Sequence, residues 1–555
     1  MKRIFIASLF FLFLTIIYFF PLVKNINGLI VDDYDGLLIT WSLNRVAKEL
    51  PEIIITKGFS WPEFFFNGNI FYPYSRPHAY SDAFITDGLL ATPFLRLFSE
   101  PVAAFNINIL LGQWLLLFFT FLLVSEISGN NFLAFLLTAI FGFSKIRFQY
   151  LGHLQTFTLY WVPLGFWALI KFLNPSGENK SKKITGRIYL FLFFFSFLAQ
   201  ALNSFLPGFF MIFIFGIFLL IRKEAREKLK KDWLFVLICF SIVGLILWPV
   251  VGIYQSVSRE FNYVRPISDA IHFSLSPEEI FTKFFDWPLG LLFLVSVFYF
   301  LKTEKKEKSK YLPFLLVLLS GLTMALGPFL HWFKKTLLIP LPYIFFYYLI
   351  PGFKGFRTPS RWIFLFGLGI VVFIASVLKD RPKNNLKKEK LFFRLLYFLA
   401  IVLFAISFKS PKKYFSVPAK NNYPPVYFQL KNLPGSVILE LPIYYWGDFQ
   451  FGKREPLRMI YGLEHGKKTV NGYSGFSPPE WESLVIKLRR DFLSEDNLAN
   501  IKAIGVNYLI IHEEEFKDLW PEDFKDKIAL LRKSKELKEI FRKDGDVIYE
   551  FEKKD

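Results

Sequence analysis

Three carboxylates crowd one short stretch, Val31-Asp-Asp-Tyr-Asp-Gly, which places Asp32, Asp33 and Asp35 within about two helical turns of the end of the first apolar block. A carboxylate there could take the proton of a hydroxyl, and a pair such as Asp33 and Asp35 could hold a divalent cation, Mg or Mn. The same residues equally suit a solvated acidic loop or a helix N-cap. Downstream, Asn69-Ile-Phe-Tyr-Pro-Tyr-Ser-Arg-Pro-His and Tyr80-Ser-Asp set Tyr72, Tyr80 and Asp82 among donors and acceptors, a mixture that serves a sugar site or an interfacial aromatic belt. A second set is cationic. Lys145, Arg147, His153 and Gln155 follow one apolar block, and Arg357 and Arg361 precede another in Pro351-Gly-Phe-Lys-Gly-Phe-Arg-Thr-Pro-Ser-Arg-Trp. Guanidinium and ammonium groups at headgroup level could bind a lipid phosphate, or could snorkel and anchor span ends. Arg259, Arg265 and Asp269 in 254–286 admit the same two readings.

What must position these groups is a set of membrane spans. Of 555 residues, 53% are hydrophobic and 20% charged, and the apolar residues fall in long blocks rather than periodic stripes. The blocks lie near 4–23, 103–124, 131–143, 156–172, 188–203, 206–221, 233–253, 287–301, 311–328, 362–378 and 392–408, which predicts about eleven spans. The first carries Lys2 and Arg3 ahead of it and lacks a small-x-small cleavage site, so it is expected to be a retained anchor with a cytoplasmic N-terminus. Four loops are strongly basic: Lys171 to Arg187, Arg222 to Lys231, Lys302 to Lys310 and Lys379 to Lys390. The positive-inside rule puts all four in the cytoplasm. Parity then agrees only if the apolar stretch 83–98 is a juxtamembrane or re-entrant helix rather than a span. On that topology 24–102, 144–155, 254–286, 329–361 and everything beyond 408 lie outside, where the candidate chemistry is. The net charge of +20 thus records topology, and nucleic acid is not an expected partner.

The chain is expected to divide into a transmembrane domain, 1–408, and a soluble extracytoplasmic α/β domain, 409–555. In the latter, Ser436-Val-Ile-Leu-Glu-Leu and Val506-Asn-Tyr-Leu-Ile-Ile read as strands, and Pro479 to Phe492 and Glu495 to Ala503 as helices. Asn471-Gly-Tyr-Ser-Gly-Phe-Ser-Pro-Pro reads as a tight loop before a helix. The lone Cys239 excludes a disulfide within the chain and a cysteine metal site. Nucleotide-cradling glycine loops, HExxH and GxSxG are absent, so neither soluble nucleotide chemistry nor those hydrolytic chemistries are supported.

Taken together the motifs resemble the GT-C class of integral membrane glycosyltransferases, in particular bacterial members with a C-terminal extracytoplasmic domain. In that class an outer-loop acidic residue precedes a Trp by six positions in Gly-Asp-Pro-x-x-x-x-Trp. Asp35 and Trp41 match it, with Tyr34 and Gly36 in place of the usual Gly and Pro. Phe71-Tyr-Pro-Tyr with Tyr80-Ser-Asp, Gly152-His-Leu-Gln followed by Trp161-Val-Pro-Leu, Arg357-x-Pro-Ser-Arg361, Glu440-Leu-Pro and Asn471-Gly-Tyr-Ser-Gly-Phe follow in the same order along the chain. The resemblance implies a polyprenyl-phosphate sugar donor, a glycan, lipid or protein acceptor, an outer-face active site in a prokaryotic plasma membrane, and inversion at the sugar carbon. It implies Asp35, with Asp33 or Asp32 as alternatives, as base. Arg357, Arg361, Arg147 and Lys145 would bind donor phosphate, and Trp41, Tyr72, Tyr80, Asp82, His153 and Gln155 would position substrate. Two other readings remain: a transporter or flippase of lipid-linked saccharides, and a noncatalytic glycan-assembly protein on the same fold.

Overall fold

Apolar blocks without internal periodicity can satisfy their backbone in lipid only as helices, and helices are what form. The computed structural model describes residues 2–174, 179–333, 335–379, 381, 387–410, 413–445, 448, 452–491, 494–534 and 536–551. Parts of the Lys171–Arg187 and Lys379–Lys390 loops, and Phe492 at the end of one expected helix, lie outside these. Among the described residues seven helices are long and apolar enough to cross a membrane: Pro101–Ser128, Asn131–Phe148, Leu154–Leu173, Ile184–Asn203, Trp233–Glu260, Pro359–Leu378 and Lys387–Ser407. The other four expected spans are helical but shorter: Lys2–Tyr18, Phe205–Ile221, Trp287–Lys302 and Leu312–Ala325. Phe205–Ile221 turns by 102° into the basic helix Lys223–Lys231. The chain is a multi-pass α-helical membrane protein with a sheet-containing C-terminal region. By contacts it falls into two compact units.

The first unit comprises 1–24, 108–248 and 264–413. Its centre is the helix Ile363–Leu378, within the span Pro359–Leu378, whose most apolar window is 89% buried, against 17% for Trp233–Glu260 and Lys387–Ser407. The last two therefore present their apolar side chains outward to lipid. Close backbone approach holds the centre: a Cβ at Gly321 would lie 2.2 Å from the Phe366 amide nitrogen, and one at Gly369 2.5 Å from the Leu318 Cα. Membrane helices use such small-residue contacts because lipid supplies no hydrophobic drive for helix association. The loop Tyr150 hydroxyl donates to Ser360 Oγ at 2.9 Å, joining the segment after the Asn131–Gly142 helix to the one before Ile363–Leu378.

The second unit comprises 25–107, 249–263 and 414–555. Its sheet has five strands in the order Lys468–Thr469, Val437–Leu441, Tyr508–His512, Asp546–Phe551 and Leu537–Lys543. The first three run parallel, with Leu439 opposite Leu509, and the last two antiparallel, with Ile510 opposite Ile548. Both central strands are buried at every residue, which explains their nearly unbroken apolar runs. The expected helices form as Pro479–Asp491 and Glu495–Ile504. The short strand Lys468–Thr469 would leave a sheet edge open, but residues 69–72 lie along it: Thr469 N donates to Asn69 O at 2.7 Å and Tyr72 N to Thr469 O at 2.9 Å. Within the first loop a 23-residue helix, Asp35–Lys57, packs on Ile85–Phe98, the helix formed by the 83–98 stretch.

Candidate functional site

The acidic stretch ends where the helix Asp35–Lys57 begins, and its three carboxylates have different surroundings. Asp32 Oδ1 accepts from Tyr34 N at 2.9 Å and from Gly36 N at 3.1 Å, so it satisfies amides that the first helical turn leaves without partners. Asp33 lies 3.9 Å from the Lys453 ammonium. Asp35 is the first helical residue, where the helix dipole favours the anion. Its Oδ1 accepts from the Tyr473 hydroxyl at 3.0 Å. Burial, followed by the charges of Asp35 and Asp32, pushes the Tyr473 phenol well above its ordinary range, so it keeps its proton and remains a donor. Tyr34 is also raised, by burial and by Asp33 and Asp32.

Several other first-loop residues are enclosed. Trp41 is buried and its indole donates to Asn69 Oδ1 at 3.2 Å. Its ring lies 5.1 Å from that of His78, which is fully enclosed. Arg45 can only donate, so its Nη1 donates a hydrogen bond to His78 Nδ1 at 3.3 Å. His78 Nε2 then donates to Ser42 Oγ at 2.7 Å, and Ser42 donates to Ala83 O. Burial and the Arg45 charge hold this histidine well below its ordinary pKa; it is a neutral structural group. Tyr80 is buried, with its hydroxyl donating to Ser75 O at 2.9 Å. Tyr72 is partly exposed under the Lys468 ammonium, 5.2 Å from the ring, and Asp82 is half-buried.

Lys145, Arg147, His153, Gln155, Arg357 and Arg361 belong to the first unit, where the Tyr150–Ser360 bond joins their two segments, whereas Arg259 belongs to the second. Arg147 is completely buried. It donates to the Phe157 and Thr156 carbonyls at 2.5 and 3.3 Å and lies over the rings of Phe157 and Phe364. Those contacts fix the 154–157 turn. Lys145 is exposed, close to Asp286, whose carboxyl is raised by burial in spite of backbone donors and the Lys145 charge. Arg357 is exposed over the Phe273 ring at 5.5 Å and has no carboxylate partner among the described residues. Arg361 is half-buried beside the enclosed Trp362. His153 is half-buried next to Tyr150, and Gln155 is buried with Oε1 lacking a hydrogen-bond partner.

Among the described residues no three His, Cys, Asp or Glu side chains converge as metal ligands. Asp33 and Asp35, the pair expected for a divalent cation, have Lys453 and Tyr473 beside them, and a cation held by two carboxylates would take its other ligands from water and a donor phosphate.

Sequence reasoning missed the C-terminal contribution to the acidic site, Tyr473 and Lys453, and the ionic cluster beneath it. Arg458 is buried, with Nη1 donating to Glu455 Oε1 at 3.1 Å and Nη2 to Glu515 Oε2 at 2.7 Å. Glu440 Oε2 accepts from Tyr427 at 2.6 Å and lies 3.2 Å from His512 Nε2, while His512 Nδ1 meets Asp546 Oδ1 at 2.8 Å. Burial and Arg458 would lower His512, but the hydrogen bonds to Asp546 and Glu440 and the charge of Glu515 push it up to about 9. Burial, helped by Glu440, pushes Glu455 up to about 7 against the pull of Arg458. The visible signals were a Glu inside a strand and a His at the end of another, each out of place on a buried apolar face.

No family model matches the sequence, and no curated protein sequence matches it. Solved structures do. The arabinofuranosyltransferase AftD from Mycobacteria superposes with a TM-score of 0.60 at 14% identity, covering 99% of this chain and 41% of that one. The chain therefore spans about two fifths of the length of AftD. The archaeal oligosaccharyltransferase AglB from Archaeoglobus fulgidus, solved with an inhibitory peptide and a dolichol-phosphate, gives 0.52 at 12% identity, covering 92% of this chain and 69% of that one. The chain has the fold of these GT-C glycosyltransferases, as its motifs led one to expect.

Proposed function

We propose that this protein transfers a sugar from a polyprenyl-phosphate-linked donor to a hydroxyl of a glycan, lipid or protein acceptor at the outer face of a prokaryotic plasma membrane, with 409–555 outside and the N-terminus in the cytoplasm. The observation that carries this is Asp35: a carboxylate at the head of a helix, on a shared glycosyltransferase fold, with a phenol donor on one oxygen and six positions ahead of the buried Trp41.

On this reading one Asp35 oxygen takes the acceptor hydroxyl proton. The acceptor oxygen bonds to the anomeric carbon as the bond from that carbon to the phosphate oxygen breaks on the opposite face, so configuration inverts. Polyprenyl phosphate leaves with the electron pair. Arg357 and Arg361 are assigned to that charge, Arg357 because it is exposed without a carboxylate partner among the described residues. Arg147 is assigned to the turn it holds. The phosphate ester supplies the driving force, so a nucleotide site is not required.

The test is single-turnover transfer by purified protein from undecaprenyl-phosphate-linked hexoses and pentoses, with wild type against Asp35→Asn. Product from the wild type and its loss in the variant support the reading. Translocation of intact lipid-linked sugar by vesicles without any transfer would replace it with the flippase reading.

A further inference from the structure

We propose that residues 329–349 form an interfacial plate lying where headgroups meet acyl chains, in the leaflet where the span Pro359–Leu378 begins, and that the partner of this plate is a lipid surface bearing anionic headgroups. Nothing in this depends on Asp35 or on sugar transfer.

The plate begins just after the apolar helix Leu312–Ala325. Leu341 N donates to Pro328 O at 2.9 Å, closing a hairpin whose strands, Phe329–Trp332 and Lys335–Pro340, pair antiparallel. A two-stranded hairpin by itself is marginal in water. Here Lys335–Pro340 is exposed at every residue, and the most exposed side chains are apolar: Phe333 is 68% and Leu338 88% exposed. The helix that follows, Tyr343–Leu349, has two sides. Tyr343 and Tyr347 are buried and donate to Phe356 O at 2.7 Å and to Arg265 O at 2.8 Å. The Phe346 ring lies 4.9 Å from that of Phe213, which is in the middle of the apolar helix Phe205–Ile221 and so roughly 12 Å along it from its first residue. Phe345, Tyr348 and Leu349 are left exposed. A helix seated that far along a membrane helix presents those three side chains on a surface continuous with the lipid-facing side of the bundle. Charge then says which lipid. Residues 329–361 hold three lysines, two arginines and no aspartate or glutamate. Lys335 and Lys354 are exposed, and the Lys354 ammonium lies 5.6 Å from the Tyr348 ring. Aromatic rings at the boundary with ammonium groups beside them suit a headgroup layer, and anionic headgroups attract each cation near the surface. Two copies of the chain meeting through this patch would set its cations against each other, which favours lipid over self-association.

The experiment uses the full chain, in a Cys239→Ser background, in nanodiscs of equimolar phosphatidylcholine and phosphatidylglycerol. Leu338→Cys and Leu349→Cys, with Ser309→Cys as the aqueous control, are all at exposed positions and each carry a nitrobenzoxadiazole fluorophore. At 338 and 349 the emission should be quenched by lipids brominated near the headgroup end of their chains, and quenching by iodide should be several-fold weaker than at 309. Replacing phosphatidylglycerol by phosphatidylcholine, or combining Lys335→Glu with Lys354→Glu, should raise iodide access at 338. Iodide access at 338 and 349 equal to that at 309 overturns the plate. Protection from iodide without quenching by brominated lipid overturns it in favour of a protein occupant, a second copy or another chain. Protection at 338 that survives both the loss of phosphatidylglycerol and the double charge reversal overturns the anionic partner.

Discussion

Asparagine is nearly isosteric with aspartate but takes no proton, and the first-loop carboxylates differ in what that swap removes. At Asp35 it removes the proposed base: transfer should fall by roughly 100- to 10,000-fold with donor binding retained, measured by single turnover and by donor binding. At Asp32 an amide oxygen can still accept from Tyr34 N and Gly36 N, so Asp32→Asn should stay within a few-fold of wild type, whereas Asp32→Ala should cost about 1 kcal/mol of thermal stability. Arg357→Ala should weaken undecaprenyl-phosphate binding more than it lowers the melting temperature, because the exposed guanidinium lacks a carboxylate partner among the described residues. His512 carries the pH dependence. Its folded pKa of about 9 exceeds the ordinary 6.5, so the folded protein binds the extra proton: the stabilisation is complete below about 6.5 and is lost as pH rises through 9. Melting curves across that window should fall with pH in the wild type and flatten in His512→Gln; equal slopes would show that His512 does not bind the extra proton.

The elements packed most tightly are those with glycine where helices meet. Gly369→Leu, which drives a side chain into the Leu318 backbone, should cost about 1–3 kcal/mol or prevent a monodisperse preparation, while Gly244→Leu, with nothing within 4 Å of its Cβ, should melt like the wild type. The spans were legible in the sequence because each apolar block must satisfy its own backbone, and the two central strands because burial on both faces leaves a run such as Tyr508-Leu-Ile-Ile. The helix Asp35–Lys57 was not legible in the same way. Buried residues fill its first half from Gly36 to Ala47, so no amphipathic stripe marks it, and Pro51 interrupts the pattern. The acidic residues could be singled out by type and spacing, but which of them caps a helix and which receives a phenol depends on the turn at Asn471. No local pattern encodes a partner 438 residues away.

For the molecule as a whole the basic loops predict sidedness. In a Cys239→Ser background, a membrane-impermeant thiol reagent on intact cells should label Ser436→Cys and spare Ser309→Cys, both exposed positions; the reverse would invert the topology. The strand edge covered by residues 69–72 adds a constraint in time. Asn69 Nδ2 donates to Lys467 O, 398 residues later, and at roughly 5–20 residues per second a ribosome needs about 20–80 s to synthesise that interval. Throughout that interval the segment around Asn69 has no sheet to join, and Asp35 has no Tyr473. The acidic loop is synthesised long before the turn that carries Tyr473, so the nascent chain can be threaded into the membrane well before the Tyr473 hydroxyl reaches Asp35.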